Sequence, residues 1–333
     1  MLFNPLATLE QLAAAPSMTD GLSHDLEMEL RALGCQLIQQ IGILVRLPQR
    51  TMAVAQVFYQ RFWYTSSMCD FSANETALGC LLLATKLEET QVSLRHLVNA
   101  FHFVLFRLSG RRTAPSNGTS NQASAVPTAW QSSSSASVIS KFRPLPYDSA
   151  EVNHIREAII LSEMQILKRL GFHVQVMLPY ALLVNYLQAL GLTDPELKVT
   201  IKPHSNWHTY DDHPTIDNVT PQQVSVAQCA WSFLNDALQT PVLCIFGPHV
   251  VACAAIALTT EMGDPQIQLP IEPHPWWLLF DATEPEIKIA ASHLLWRYHH
   301  EPTELDAPKL MDRHELRRYI ESLPSSPVVQ RSR

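Results

Sequence analysis

The side chains best suited to recognition chemistry stand where an apolar run ends. In "LATKLEET", residues 83–90, Lys86, Glu88 and Glu89 follow directly on Ala77–Ala84, a stretch apolar on every side. An ordinary surface charge of this kind does little, since most exposed ions and ion pairs contribute under about 1 kcal/mol. A second carboxylate of interest is Glu163, in "SEMQILKRLGF", again inside a strongly apolar helical pattern. His204, His208 and His213 are the one set with a metal-like spacing, His204 and His208 being four apart. Pro203 and Pro214 bracket them, and no cysteine stands near, so a solvated polar loop is expected there and no metal site. The chain has no Gly-rich phosphate loop, no G-x-S-x-G and no H-E-x-x-H, so no catalytic residues and no cofactor are expected.

Composition narrows the field further. The 333 residues are 47% hydrophobic and only 17% charged, with a net charge of −7, which disfavours nucleic acid as the main partner. Six cysteines occur without a C-x-x-C pair, and Cys35, Cys80, Cys229 and Cys253 lie in apolar helical runs. That pattern suits a reducing compartment. The N-terminal segment has neither a basic region nor a continuous apolar core, and "VVACAAIAL" is too short to span a bilayer, so a soluble, non-secreted chain with no membrane partner is expected.

The elements that must position these residues are helices. Ten glycines against 23 prolines, with apolar residues at helical spacing, predict helices broken at prolines. The first runs from about His24 to Leu47, with Leu30, Leu33, Leu37, Ile41 and Leu44 on one face. Pro48 opens the second, which carries Met52, Ala55, Phe58, Tyr59, Phe62 and Trp63. "SANETALGCLLLATKLEE" is the third, with Ser72 or Asn74 as cap, and "SLRHLVNAFHFVLFRL" the fourth. Residues 109–146 are rich in Ser, Thr, Ala and Pro without periodicity and read as a flexible insertion. A fifth helix ends near Gly171.

The second half repeats this layout. Val54-Ala55-Gln56 recurs as Val226-Ala227-Gln228, and "GCLLLATK" echoes "AAIALTTE". The repeat acts as an internal control. Lys86 falls against residues between Leu258 and Glu261, none of them basic, and Glu163 falls near Ser292. The helices therefore form without these charges, and Lys86 and Glu163 are candidates for a task only the first copy performs. On that reading, reversing either charge leaves helix content and thermal midpoint nearly unchanged. Glu88 and Glu89, facing solvent, matter less.

Several segments together resemble the cyclin family, most of all its cyclin L branch, over Cys35 to Tyr298. They are "GCQLIQQIGILVRLPQRTMAVAQVFYQRFWYTSS", "ATKLEE", "EMQILKRLGFHVQVMLPYALLVNYLQAL", "QCAWSFLNDALQT" and "HPWWLLFDATEPEI". The resemblance implies an all-α fold of two tandem five-helix cyclin boxes: an extension over 1–23, a first box over 24–175 holding the insertion, a second over 176–300 and a tail over 301–333. It implies a nuclear regulatory subunit, not itself an enzyme. Such a subunit binds and activates a cyclin-dependent protein kinase in RNA polymerase II transcription, pre-mRNA splicing or both, with splicing or transcription factors as further partners. In cyclins a Lys matching Lys86 and a Glu matching Glu163 bind the kinase near its αC helix. Phe62, Leu87 and Glu89 are carried over as neighbours in the same kinase-binding set. The first helix lacks the family's Met-Arg-x-Ile-Leu substrate-docking patch, and the Arg/Ser-dipeptide tail of cyclin L is represented only by a fragment in "VVQRSR". The rival of a different class is a cyclin-fold general transcription factor on promoter DNA. That role needs a basic face, and here 24 basic residues stand against 31 acidic ones.

Overall fold

The structure is a computed structural model describing residues 4–8, 10–11, 14–112, 142–146, 148–193, 226–263, 266–299 and 313–322. The histidines 204, 208 and 213 and most of the expected insertion lie outside the described residues. Among those described, the regular structure is helical, and no helix is long and apolar enough to cross a membrane.

A short turn of helix, α1 (Pro16–Thr19), precedes α2 (His24–Leu44). Ser23 caps α2 by accepting a hydrogen bond from the Leu26 N–H, and Asp25 and Glu27 place negative charge in its first turn. Pro48 stands at the cap of α3 (Gln49–Phe62) rather than inside it. Helices α2 and α3 touch closely because Gly34 and Gly42 lack side chains. A Cβ on Gly34 would lie 2.0 Å from the Tyr59 hydroxyl, and one on Gly42 2.3 Å from the Met52 sulfur. Helix α4 (Ala73–Leu87) runs through the middle, walled by α2, α3 and α6 (Ala150–Arg169). This position explains why its sequence is apolar all round. Ser72 holds the α4 cap position without a side-chain bond, whereas Ser149 caps α6 by accepting from the Val152 N–H at 3.2 Å.

Helix α5 (Leu94–Arg112) continues four residues into the expected insertion. At the insertion's other end, Phe142 packs edge-on against Phe103, with ring centroids 5.0 Å apart, and Leu145 lies against the first core. The unpatterned segment is therefore shorter than residues 109–146, and the aromatic face of α5 explains the difference.

The second half forms α7 (Tyr180–Ala189), α8 (Val226–Ala237), α9 (Val242–Ile245), α10 (Pro248–Met262), a 3₁₀ turn (Trp276–Phe280) and α11 (Glu284–His299). Helix α10 takes the central place that α4 holds in the first half, packed by α7, α8 and α11. The segment "PVLCIFGPHVVACAAIALTTEM", apolar for most of its length, divides into two helices. Gly247 precedes Pro248, and the residue before a proline is driven out of helical geometry; Gly247 sits at ψ 153°. The buried cysteines are packing residues. Burial pushes the Cys244 thiol up to about 11 and the Cys253 thiol up to about 12.

Two apolar clusters result, and α3 contributes to both, since Ala53 and Val57 belong to the second. Amide side chains join the halves. Gln36 Nε2 donates to Gln239 Oε1 (3.0 Å), Gln60 Nε2 to the Gln239 carbonyl (3.2 Å), and Gln49 Nε2 to Asn235 Oδ1 (3.1 Å). The region expected to be a tail contains α12 (Arg313–Ser322), which returns to the first half. Leu316 is buried in the first cluster beside Tyr319 and Ile320, and Arg317 Nε donates to the Cys69 carbonyl at 2.8 Å. Leu316, Tyr319 and Ile320 recur at i, i+3, i+4, an amphipathic signal short enough to be missed in so polar a stretch.

Candidate functional site

Among the described residues, helices α4 and α6 make the most extensive helix pairing, and Gly79 sets how near they come. A Cβ on Gly79 would sit 2.8 Å from the Ser162 Cβ and 3.0 Å from the Glu163 backbone nitrogen. Lys86 lies two turns beyond Gly79, on the same side of α4. Its Nζ donates to both oxygens of Glu163, at 2.6 and 2.7 Å. The structure thus joins the two residues that the internal repeat singled out. The Lys86 side chain is 58% exposed and that of Glu163 only 11%. The pair is a buried carboxylate closed by an ammonium that reaches in from solvent. Two of three N–H donors are used, which leaves one for another molecule.

The helix end that carries Lys86 does have a cap and a turn. Thr90 N–H donates to the Thr85 carbonyl (2.9 Å) and Glu89 N–H to the Lys86 carbonyl, the two bonds of a Schellman motif. Its left-handed position, usually glycine, is Glu89 at φ 54°. Thr51 and Thr90 hydroxyls meet at 3.1 Å and tie the turn to α3. Glu88 does not face solvent as expected. It pairs with Arg50 Nε at 2.6 Å and is 19% exposed. Helix α6 ends in a second Schellman motif, with Gly171 at φ 58° as expected and Phe172 N–H donating to the Leu167 carbonyl.

Leu87 is exposed beside Lys86, and Glu89 is exposed on its turn. Phe62 is a correction. It is 1% exposed, packed edge-on against Trp63 and Phe71 at 5.1 and 5.2 Å, and has no surface to offer a partner. The aromatic spacing of α3 made it core.

Sequence reasoning missed the apolar rim. Ile160, Leu161 and Met164 on α6 are exposed, as is Phe172 on the following turn. Ile160 and Met164 are exposed to one side of Glu163 on α6, while Ile159 and Ile166 fill the core on the other side. A helix apolar on opposite faces has two covers, and "AIILSEMQIL" carries that signal. In the second half the equivalent side chains close on their own helices: Thr259 Oγ1 donates to Ala255, Thr260 Oγ1 to Ile256, and Ser292 Oγ to Ile289.

This geometry changes one expectation. Lys86 is not a free surface charge, so replacing it with glutamate would set a carboxylate against the buried Glu163 and would be felt in stability as well as in binding.

Comparison with known proteins agrees with this architecture. The family model "Cyclin, N-terminal domain" matches residues 3–175. Human Cyclin-L1 is 36% identical over 279 residues, covering 84% of this chain and 41% of the relative. Mouse Cyclin-L2 is 35% identical over 297 residues, covering 89% of this chain and 46% of the relative. The chain therefore spans less than half the length of these curated relatives. A chain in the crystal structure of the yeast RNA Pol II CTD kinase CTDK-1 complex shares the fold, with a TM-score of 0.57 at 14% identity, covering 100% of this chain and 87% of that one. The tandem helical units and a first unit matched throughout by the family model have one reading: the chain belongs to the cyclin family.

Proposed function

We propose that this chain is the regulatory subunit of a cyclin-dependent protein kinase acting in RNA polymerase II transcription, pre-mRNA splicing or both, in the nucleus. The kinase seats on the first box, residues 24–175, over Lys86, Glu163, Leu87 and Glu89, with the second box over 176–300. The observation that carries this reading is the half-buried Lys86–Glu163 pair, with Leu87 exposed next to Lys86 and Ile160 and Met164 exposed to one side of Glu163 on α6. Apolar side chains beside a polar centre that a partner would desolvate are the composition of an interface core.

The mechanism follows from rigidity. A protein kinase is active when its αC glutamate pairs with the strand lysine that aligns the phosphates. A partner that binds only the inward αC position shifts the kinase toward it by its difference in affinity for the two states. The fixed α4–α6 pair offers such a surface: Lys86 has a donor left for a backbone carbonyl, Glu163 has acceptor lone pairs left for an N–H, and the apolar rim excludes water. The test is a pull-down from nuclear extract with the full chain and with Met164→Asp, an exposed rim substitution. A cyclin-dependent kinase retained by the first and lost by the second supports the proposal. Equal recovery of the kinase, or recovery of none, rejects it.

A further inference from the structure

A second polar site lies where the N-terminal segment, the end of α3 and the end of α6 meet. Among the described residues, two arginines are buried in the first half, and the fold treats them differently. Arg31 has a carboxylate: its Nε donates to Glu27 Oε1 at 3.0 Å. Arg61, 6% exposed, has none. Its Nη1 donates to the Gln175 carbonyl (2.8 Å) and its Nη2 to Asn4 Oδ1 (2.6 Å), while Nε has no partner. Burial holds its pKa below the usual value. A buried cation without a counter-ion is costly to the fold.

Arg61 lines a cavity of about 130 Å³, and the other lining groups share its character. Arg169 and His173 add cationic or donor groups, Thr65 and Gln11 add polar ones, and no lining residue is acidic, on a chain of net charge −7. Leu6 and Leu170 are among the apolar lining. The free Nε–H of Arg61 and the Arg169 guanidinium put two cations where a doubly charged tetrahedral oxyanion is favoured over a single carboxylate, and the apolar lining suits an attached chain.

We propose that this cavity binds the phosphate monoester of a phosphorylated serine or threonine on a peptide, with Arg61 and Arg169 as its two cations. The idea is independent of the kinase surface.

The test uses the full chain and fluorescence anisotropy with labelled Ala-Ala-phosphoserine-Ala-Ala, its unphosphorylated form, and inorganic phosphate as competitor. Because Arg61 is buried and its loss risks the fold, the variants are Arg169→Gln and His173→Gln, both exposed, with Lys168→Gln as a neighbour outside the cavity. We expect saturable binding of the phosphopeptide only, displaced by inorganic phosphate. Binding should weaken about tenfold or more in Arg169→Gln, less in His173→Gln, and stay unchanged in Lys168→Gln. Equal binding of the unphosphorylated peptide, or equal loss in Lys168→Gln and Arg169→Gln, overturns the site. Inorganic phosphate binding as tightly as the phosphopeptide overturns the peptide assignment.

Discussion

Lys86 closes a buried carboxylate and also presents an ammonium to solvent, and the two roles separate by mutation. Lys86→Glu removes the closure and adds repulsion, so thermal unfolding should show a loss of about 1–3 kcal/mol, less than for a fully buried pair because Lys86 is half exposed. The swap Lys86→Glu with Glu163→Lys restores opposite charges across α4 and α6 and should return the midpoint close to that of the parent. Under the proposed function, kinase binding by the swap stays weak. Losing a member of an interface charge pair costs about 2–5 kcal/mol, or roughly thirty- to several-thousand-fold in Kd. Titration calorimetry with the kinase reads this directly, and a swap that binds like the parent would move the interface elsewhere. Glu88→Lys tests a smaller point: it breaks the Arg50 pair and should cost stability rather than affinity.

The helices set where these residues stand, and Gly79 is the lever. Gly79→Ala puts a methyl against the Glu163 backbone and the Ser162 Cβ, neither of which is the free end of a side chain. The α4–α6 spacing must open, at about 1–3 kcal/mol in thermal or urea unfolding. Lys86 shifts with it, so under the proposed function kinase affinity should fall although no surface residue has changed. Much of this was legible beforehand. The 3.6-residue period located α2, α3, α4, α5 and α6, and the copy comparison isolated Lys86 and Glu163. Three things were not. Burial of Phe62 depends on which face of α3 meets α4. The Schellman turn at Glu89 hides because glutamate occupies a position where only glycine announces itself. The α6 rim hides because exposed and buried apolar residues look alike in one dimension.

Taken whole, the molecule is closed on itself by α12, whose Leu316 enters a core built mostly from residues 22–166. Leu316→Ala should cost about 2–4 kcal/mol and expose the groove beside Gly21 and Cys69, seen as a lower midpoint and faster proteolysis. By contrast, replacing residues 113–141 with a short Gly/Ser linker, while keeping Phe142 and Leu145, should leave folding intact and, under the proposed function, kinase binding too; loss of binding in a folded variant would give that segment a role. The junction between the halves has a property of its own. The bonds from Gln36, Gln49 and Gln60 to Gln239 and Asn235 are amide bonds, which have direction and length but no net charge. Ions screen charges and barely touch dipoles in contact. The articulation of the two halves should therefore be deaf to ionic strength. Salt becomes a tool that loosens whatever Lys86 holds while leaving the instrument that presents Lys86 in tune.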